Sequence, residues 1–191
     1  MTKGRLEAFS DGVIAILITI MVLELRAPQG ADWHALREIV PSVLTYVLSF
    51  VFLGIYWTNH HHLLQATDRV TGGVLWANLH LLFWLSLIPF VTVWMGRNHY
   101  AAVPTALYGI LMVLAAIAYQ SLQYVIIRAQ GTDSRLARAI GSDRKGKISL
   151  VLYLAAIPAA FAQPLVSDAL YVIVALIWLI PDPRIERIAD Q

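Results

Sequence analysis

The run from Val13 to Leu23 is unbroken hydrocarbon apart from Thr19, yet its approach carries Arg5, Glu7, Ser10 and Asp11. No feature constrains this chain more. So apolar a run belongs in a bilayer. Ionisable groups at the end of a helix entering hydrocarbon are costly, and by default they mark a functional or assembly role. Wound at about 100° per residue, the segment puts Arg5, Phe9, Gly12, Ile16, Thr19 and Leu23 on one narrow stripe, with Ile20 at its edge. Glu7, Ser10 and Asp11 point to other sides, toward neighbouring helices.

The rest of the chain agrees with a bilayer. Fifty-nine per cent of its residues are apolar and 14% charged, and the mean hydropathy is +0.66, values that place it among integral membrane proteins. A net charge of +2 points to no nucleic-acid partner. The absence of cysteine excludes disulfides and thiolate chemistry. Asp11 interrupts what would be the apolar region of a signal peptide and no cleavage site follows, so the first segment reads as a retained helix.

A membrane helix needs roughly 20 apolar residues. On that measure the chain reads as all-α, a single domain of six spans at about 6–25, 36–60, 74–94, 104–127, 148–162 and 165–180. Pro41 falls in the opening turns of the second span, where a missing N–H costs little. Pro89 should kink the third. The region 148–180 is too long for one helix, and Pro158 and Pro164 divide it in two. The stretch Arg128 to Lys147 reads as the longest loop. Five of the six tryptophans, Trp33, Trp57, Trp76, Trp94 and Trp178, read as interfacial anchors, and Trp84 as packing.

Six spans sort the basic residues sharply. One side holds Lys3, Arg5, Arg69, Arg128, Arg135, Arg138, Arg144, Lys145, Lys147, Arg184 and Arg187, the other only Arg26, Arg37 and Arg97. Both termini are therefore expected in the cytoplasm, in a bacterial inner membrane. No internal repeat of the transporter kind is visible.

The run Arg5-Leu-Glu-Ala-Phe9-Ser10-Asp11-Gly-Val-Ile-Ala-Ile16, followed by Ile18-Thr19-Ile-Met-Val-Leu-Glu24, resembles the signature of the transmembrane protein 175 family of lysosomal and bacterial potassium channels. The likeness is strong over 5–24; length, span count and the cluster Trp57-Thr-Asn59-His60-His61 support it. It implies a homotetramer that conducts potassium ions through a pore lined by the first helix. The family's constriction is the isoleucine five residues after the aspartate, here Ile16. The threonine three further on, here Thr19, contributes to selectivity.

Read from the residues alone, the stripe Ile16, Thr19, Ile20 and Leu23 is either an ordinary packed helix face or the lining of a pore in an oligomer. In the second case a ring of isoleucines holds the pore shut by dewetting, and a ring of hydroxyls replaces part of an ion's hydration shell. No Thr-Val-Gly-Tyr-Gly loop is present, so selectivity must come from side chains and be modest. Phe9-Ser10-Asp11 is either a helix N-terminal arrangement or a tether holding the first helix to its neighbours, with Asn59, His60, His61 and His80 as the expected partners. His60-His61-His62 lacks metal-ligand spacing, so no metal site and no cofactor beyond the permeant ion are expected. Nothing has the pattern of an enzyme site. The alternative function is a proton-coupled or proton-leak transporter using Asp11 and the nearby histidines.

Overall fold

The computed structural model describes residues 2–131, 134–140 and 143–179, and every element among them is an α-helix. The first, α1 (Lys3–Leu23), is followed by α2 (Trp33–Gln65), α3 (Gly72–Ser86), α4 (Ile88–Arg97), α5 (Ala102–Gln130), α6 (Arg135–Ile140), α7 (Arg144–Ala162) and α8 (Pro164–Leu179). Counting α3 and α4 together, five segments are long and apolar enough to cross a membrane, and α8 is a shorter apolar helix. The tail from 180 onward and residues 132, 133, 141 and 142 lie outside the described residues.

Local chemistry explains most boundaries. Asp32 caps α2 by accepting from the Ala35 amide at 2.8 Å, and the Thr71 hydroxyl accepts from the Val74 amide at the start of α3. Asp143 caps α7 at the Gly146 amide. Gly131, at φ 101°, ends α5 in a conformation that glycine adopts without strain. Gln163 leaves α7 extended, and α8 opens on Pro164, as a residue without an N–H can at a helix start.

Three expectations need adjustment. The second span begins at Trp33 and runs to Gln65, so Pro41 lies in the third turn, where it deprives the Arg37 carbonyl of its helical donor. The Pro41 carbonyl itself gathers two donors, the Thr45 hydroxyl and, from the turn after α4, the Tyr100 hydroxyl at 3.0 Å. In the third span Pro89 does more than kink: the helix breaks at Leu87 into α3 and α4. The supposed loop from Arg128 to Lys147 is largely helical, taking in the end of α5, all of α6 and the first turn of α7.

Helix α5 is the hub. It packs against α3, α4, α7 and α8 and buries side chains along its whole length. Its Tyr108 joins Phe52, Tyr153 and Tyr171 in an aromatic cluster with centroids 5.2–6.5 Å apart. Several hydroxyls inside are paired: Ser49 with the Tyr108 hydroxyl at 3.0 Å, Thr92 with Ser49 at 2.7 Å, and the Tyr171 hydroxyl with the Thr105 carbonyl at 2.9 Å. Where no water can compensate, such pairing keeps buried hydroxyls from becoming a liability. Helix α1, by contrast, packs against α2, α3 and α4 and lies at the edge of the bundle.

Candidate functional site

The two faces of α1 differ sharply. Leu6, Ser10, Ile14, Leu17 and Met21, spaced three or four residues apart, are buried in the bundle. The stripe read from the sequence lies on the other side: Phe9 is 48% exposed, Ile16 57%, Ile20 42% and Leu23 81%. Arg5, Gly12 and Thr19 are exposed with them. The Thr19 hydroxyl donates to the Ile16 carbonyl at 2.8 Å, so its own lone pairs stay available to an incoming cation. A carrier of such a face in a lone protomer would show water or lipid a column of isoleucine and leucine interrupted by one oxygen.

The polar head is fastened to α2 and α3. Ser10, Asn78 and His60 are fully buried and hydrogen-bonded in a row. The Asn78 amide nitrogen donates to the Ser10 hydroxyl at 3.0 Å, and the Ser10 hydroxyl donates to the Leu6 carbonyl at 2.9 Å. The Asn78 amide oxygen therefore faces His60 Nε2, 2.6 Å away, which must carry the proton. That leaves His60 Nδ1 buried without a partner. Asp11 takes a different partner: its Oδ1 accepts from the Trp57 indole N–H at 2.9 Å. His61 stacks on Trp57, centroids 5.9 Å apart, and Lys3 donates to the Gln65 carbonyl where α2 ends.

The four partners expected for the motif thus fare unevenly. His60 joins the network through Asn78 and Ser10, and His61 joins through its stack on Trp57. Asn59 does not meet the motif; its amide donates to the Ile55 carbonyl of its own helix at 2.8 Å. His80 is also turned away, accepting from the Trp84 indole at 2.9 Å. The residues missed were Asn78 and Trp57, the first given no role from the sequence and the second read as an interfacial anchor. Asn78 had a signal, being an amide inside an apolar run, which needs a partner.

At the opposite end of α1 a second attachment forms, also not foreseen. Arg97 at the end of α4 pairs with the Glu24 carboxylate at 3.0 Å. Between them and the body of the bundle lies an open groove of about 580 Å³, bordered by Leu17, Ile20, Phe90 and Trp94. The pore-helix candidate is therefore held by polar bonds at both ends and by apolar packing between. Among the described residues no three of His, Asp and Glu converge as a metal site would require.

Comparison with known proteins shows what the chain is similar to. A family model described as endosomal/lysosomal potassium channel TMEM175 matches residues 5–89. A potassium channel of Chryseobacterium sp. (strain P1-3) is 56% identical over 187 residues, 98% of this chain and 97% of that one. One from Streptomyces collinus is 37% identical over 134 residues, 66% of this chain and 65% of that one. Among solved structures, the crystal structure of a lysosomal potassium-selective channel TMEM175 homolog from Chamaesiphon minutus superposes with a TM-score of 0.83. It is 28% identical, covering 94% of this chain and 97% of that one.

Proposed function

This chain belongs to the TMEM175 family and is a potassium channel, and from that premise we propose that potassium ions pass between copies of α1. Ile16 forms the hydrophobic constriction, Thr19 an adjoining ring of hydroxyls, and Ile20 and Leu23 the rest of the wall. The observation that carries this reading is the exposed stripe. α1 buries one face in its own bundle and leaves the signature face unpartnered, so the lining is incomplete in one protomer. Four copies around an axis complete it. Leu23 then lies about 10 Å beyond Ile16 along the axis.

The chemistry follows from the side chains. A ring of isoleucine at the narrowest point excludes water when tight, and ions cross only when it widens. Thr19 oxygens, with their hydrogens engaged by the Ile16 carbonyl, offer uncharged ligands to a partly dehydrated cation and give a modest preference for potassium. Arg5, Phe9, Ser10 and Asp11 serve as the tether that fixes α1 to α2 and α3. Both termini lie on the cytoplasmic side of a bacterial inner membrane, the side richer in Lys and Arg. No chemical step and no cofactor enter this account.

The test is single-channel recording of the purified protein in a planar bilayer under a potassium/sodium gradient. Wild type should give unitary currents with a potassium-leaning reversal potential. Ile16→Asn should enlarge the current, because an amide wets the constriction. Thr19→Val, which keeps the shape and removes the oxygen, should shift the reversal potential toward zero selectivity. Currents unaltered by both substitutions would place the conduction path elsewhere.

A further inference from the structure

A half-open recess of about 500 Å³, its mouth included, lies between α2, α5, α7 and α8. Contacts along it fix which ends of these helices lie together. The Tyr119 hydroxyl donates to the Asn59 carbonyl and the Gln130 amide to the Ala66 carbonyl, so α2 and α5 run parallel. Lys145 and Ser149 meet Trp178, so α7 begins where α8 ends. At the other end of the recess the Phe52 and Tyr153 rings lie 6.1 Å apart. The lining is therefore graded in one direction on every wall. It passes from Asn59 to Phe52 on α2, from Gln120 to Ala116 on α5, and from Asp143 to Tyr153 on α7. On α2 that passage from amide to phenyl ring takes about 10 Å.

The polar end also carries charge. Arg144, Lys145 and Lys147 fall within the first turn of α7, three positive charges against the one negative of Asp143 in that stretch. The Asp143 carboxylate is engaged in capping α7 at the Gly146 amide. Arg144 and Lys147 are exposed, and Lys145 Nζ stands 5.9 Å from the centroid of Trp178, itself part of the lining. A recess basic at its mouth and aromatic in its depth is complementary to an amphiphile with an anionic head. A free phosphate would leave the apolar depth unused.

We propose that this recess binds an anionic membrane phospholipid, with its phosphate at Lys145 and Lys147 and part of an acyl chain lying along Ala116, Phe52 and Tyr153. Basic pockets between spanning helices hold anionic headgroups, each Lys or Arg near the surface contributing about fivefold in affinity. The bound lipid bridges α2, α5, α7 and α8. The site is independent of where ions pass, since α1 contributes nothing to its lining.

The test titrates purified protein in detergent with phosphatidylglycerol or phosphatidylcholine carrying the same brominated acyl chains. Bromine in contact with an indole quenches its emission. The Trp178 signal is isolated by reading each protein against its own Trp178→Phe counterpart. Phosphatidylglycerol should half-quench Trp178 at a mole fraction lower than phosphatidylcholine needs by at least about fivefold. Lys147→Gln should raise the phosphatidylglycerol value about fivefold and leave the phosphatidylcholine value unchanged. Ala116→Leu, which fills the recess, should remove the preference between the two lipids; Ile55→Phe, on the same lining, replaces it if that variant does not fold. Equal half-points in wild type, or a phosphatidylglycerol value unmoved by Lys147→Gln, overturn the anionic headgroup. A preference that survives in a folded, filled variant puts the lipid outside the recess and overturns the site.

Discussion

Asn78 has a larger part than its place in the sequence suggests. It is one amide within the apolar run of α3, yet it satisfies Ser10 on one side and His60 on the other, joining three helices at one point. Removing it leaves the His60 N–H buried and without an acceptor. An unmade buried hydrogen bond costs about 1–3 kcal/mol, so Asn78→Ala should lower the thermal unfolding midpoint of the protein in detergent by several degrees. Trp57→Phe, which leaves only the half-exposed Asp11 without its donor, should cost less. Of the sites read from the sequence, Ser10, Asp11 and His60 meet neighbours because their polarity obliges them to. Asn59 and His80 do not meet the motif, since adjacency in sequence or span says nothing of which way a side chain turns on its helix. Asn59 can also satisfy its amide locally, at a carbonyl one turn back.

At the scale of elements, the packing of α4 on α2 depends on Gly96. A Cβ at that position would stand 2.7 Å from the Ser42 Cα, and backbone on both sides leaves nothing flexible to yield. Close approach of helices through small residues is the usual means of association in a membrane, where no hydrophobic drive separates helix from lipid. Gly96→Val should therefore separate α2 from α4 and destabilise the fold by about 1–3 kcal/mol, read as a lower unfolding midpoint. The same substitution displaces Arg97 from Glu24, so the outer attachment of α1 is lost as well. The break at Leu87 places α4 under this contact; a proline two residues on marks the spot, but whether a span bends or divides depends on what packs against it. The length of α2 illustrates a related point. Its 33 residues make a helix of about 50 Å, longer than the roughly 30 Å of hydrocarbon, and its last turns, polar in sequence, continue as helix because α1 binds them there.

For the whole molecule, the question is what covers the outer face of α1. The aromatic hub around α5 is complete within one chain, whereas the Ile16–Leu23 column is not. With no native cysteine, single introduced thiols report on this cleanly. In purified protein, Leu23→Cys treated with a short bifunctional thiol reagent should give a cross-linked dimer, the largest product that one thiol per protomer allows. Val151→Cys, 64% exposed on α7, a helix not packed against α1, should remain uncross-linked. Equal cross-linking at both positions would remove the axis along α1.

The amino-acid sequence by itself determined that this chain is a bundle of apolar helices, since hydrophobic length and the positions of Pro, Gly and charge are local quantities that a bilayer reads directly. It also determined that one face of α1 differs from the others, because helical period converts spacing into direction. The tertiary structure alone decided which partners the polar head takes, since that depends on the register of α1 against α2 and the rotation of α3, both set by packing between distant segments. It decided likewise the Glu24–Arg97 pair and the division at Leu87. The physical reason is common to all of them: a helix carries its own hydrogen bonds, so its existence can be read locally, whereas the azimuth at which it meets its neighbours is fixed by contacts that no single stretch of sequence contains.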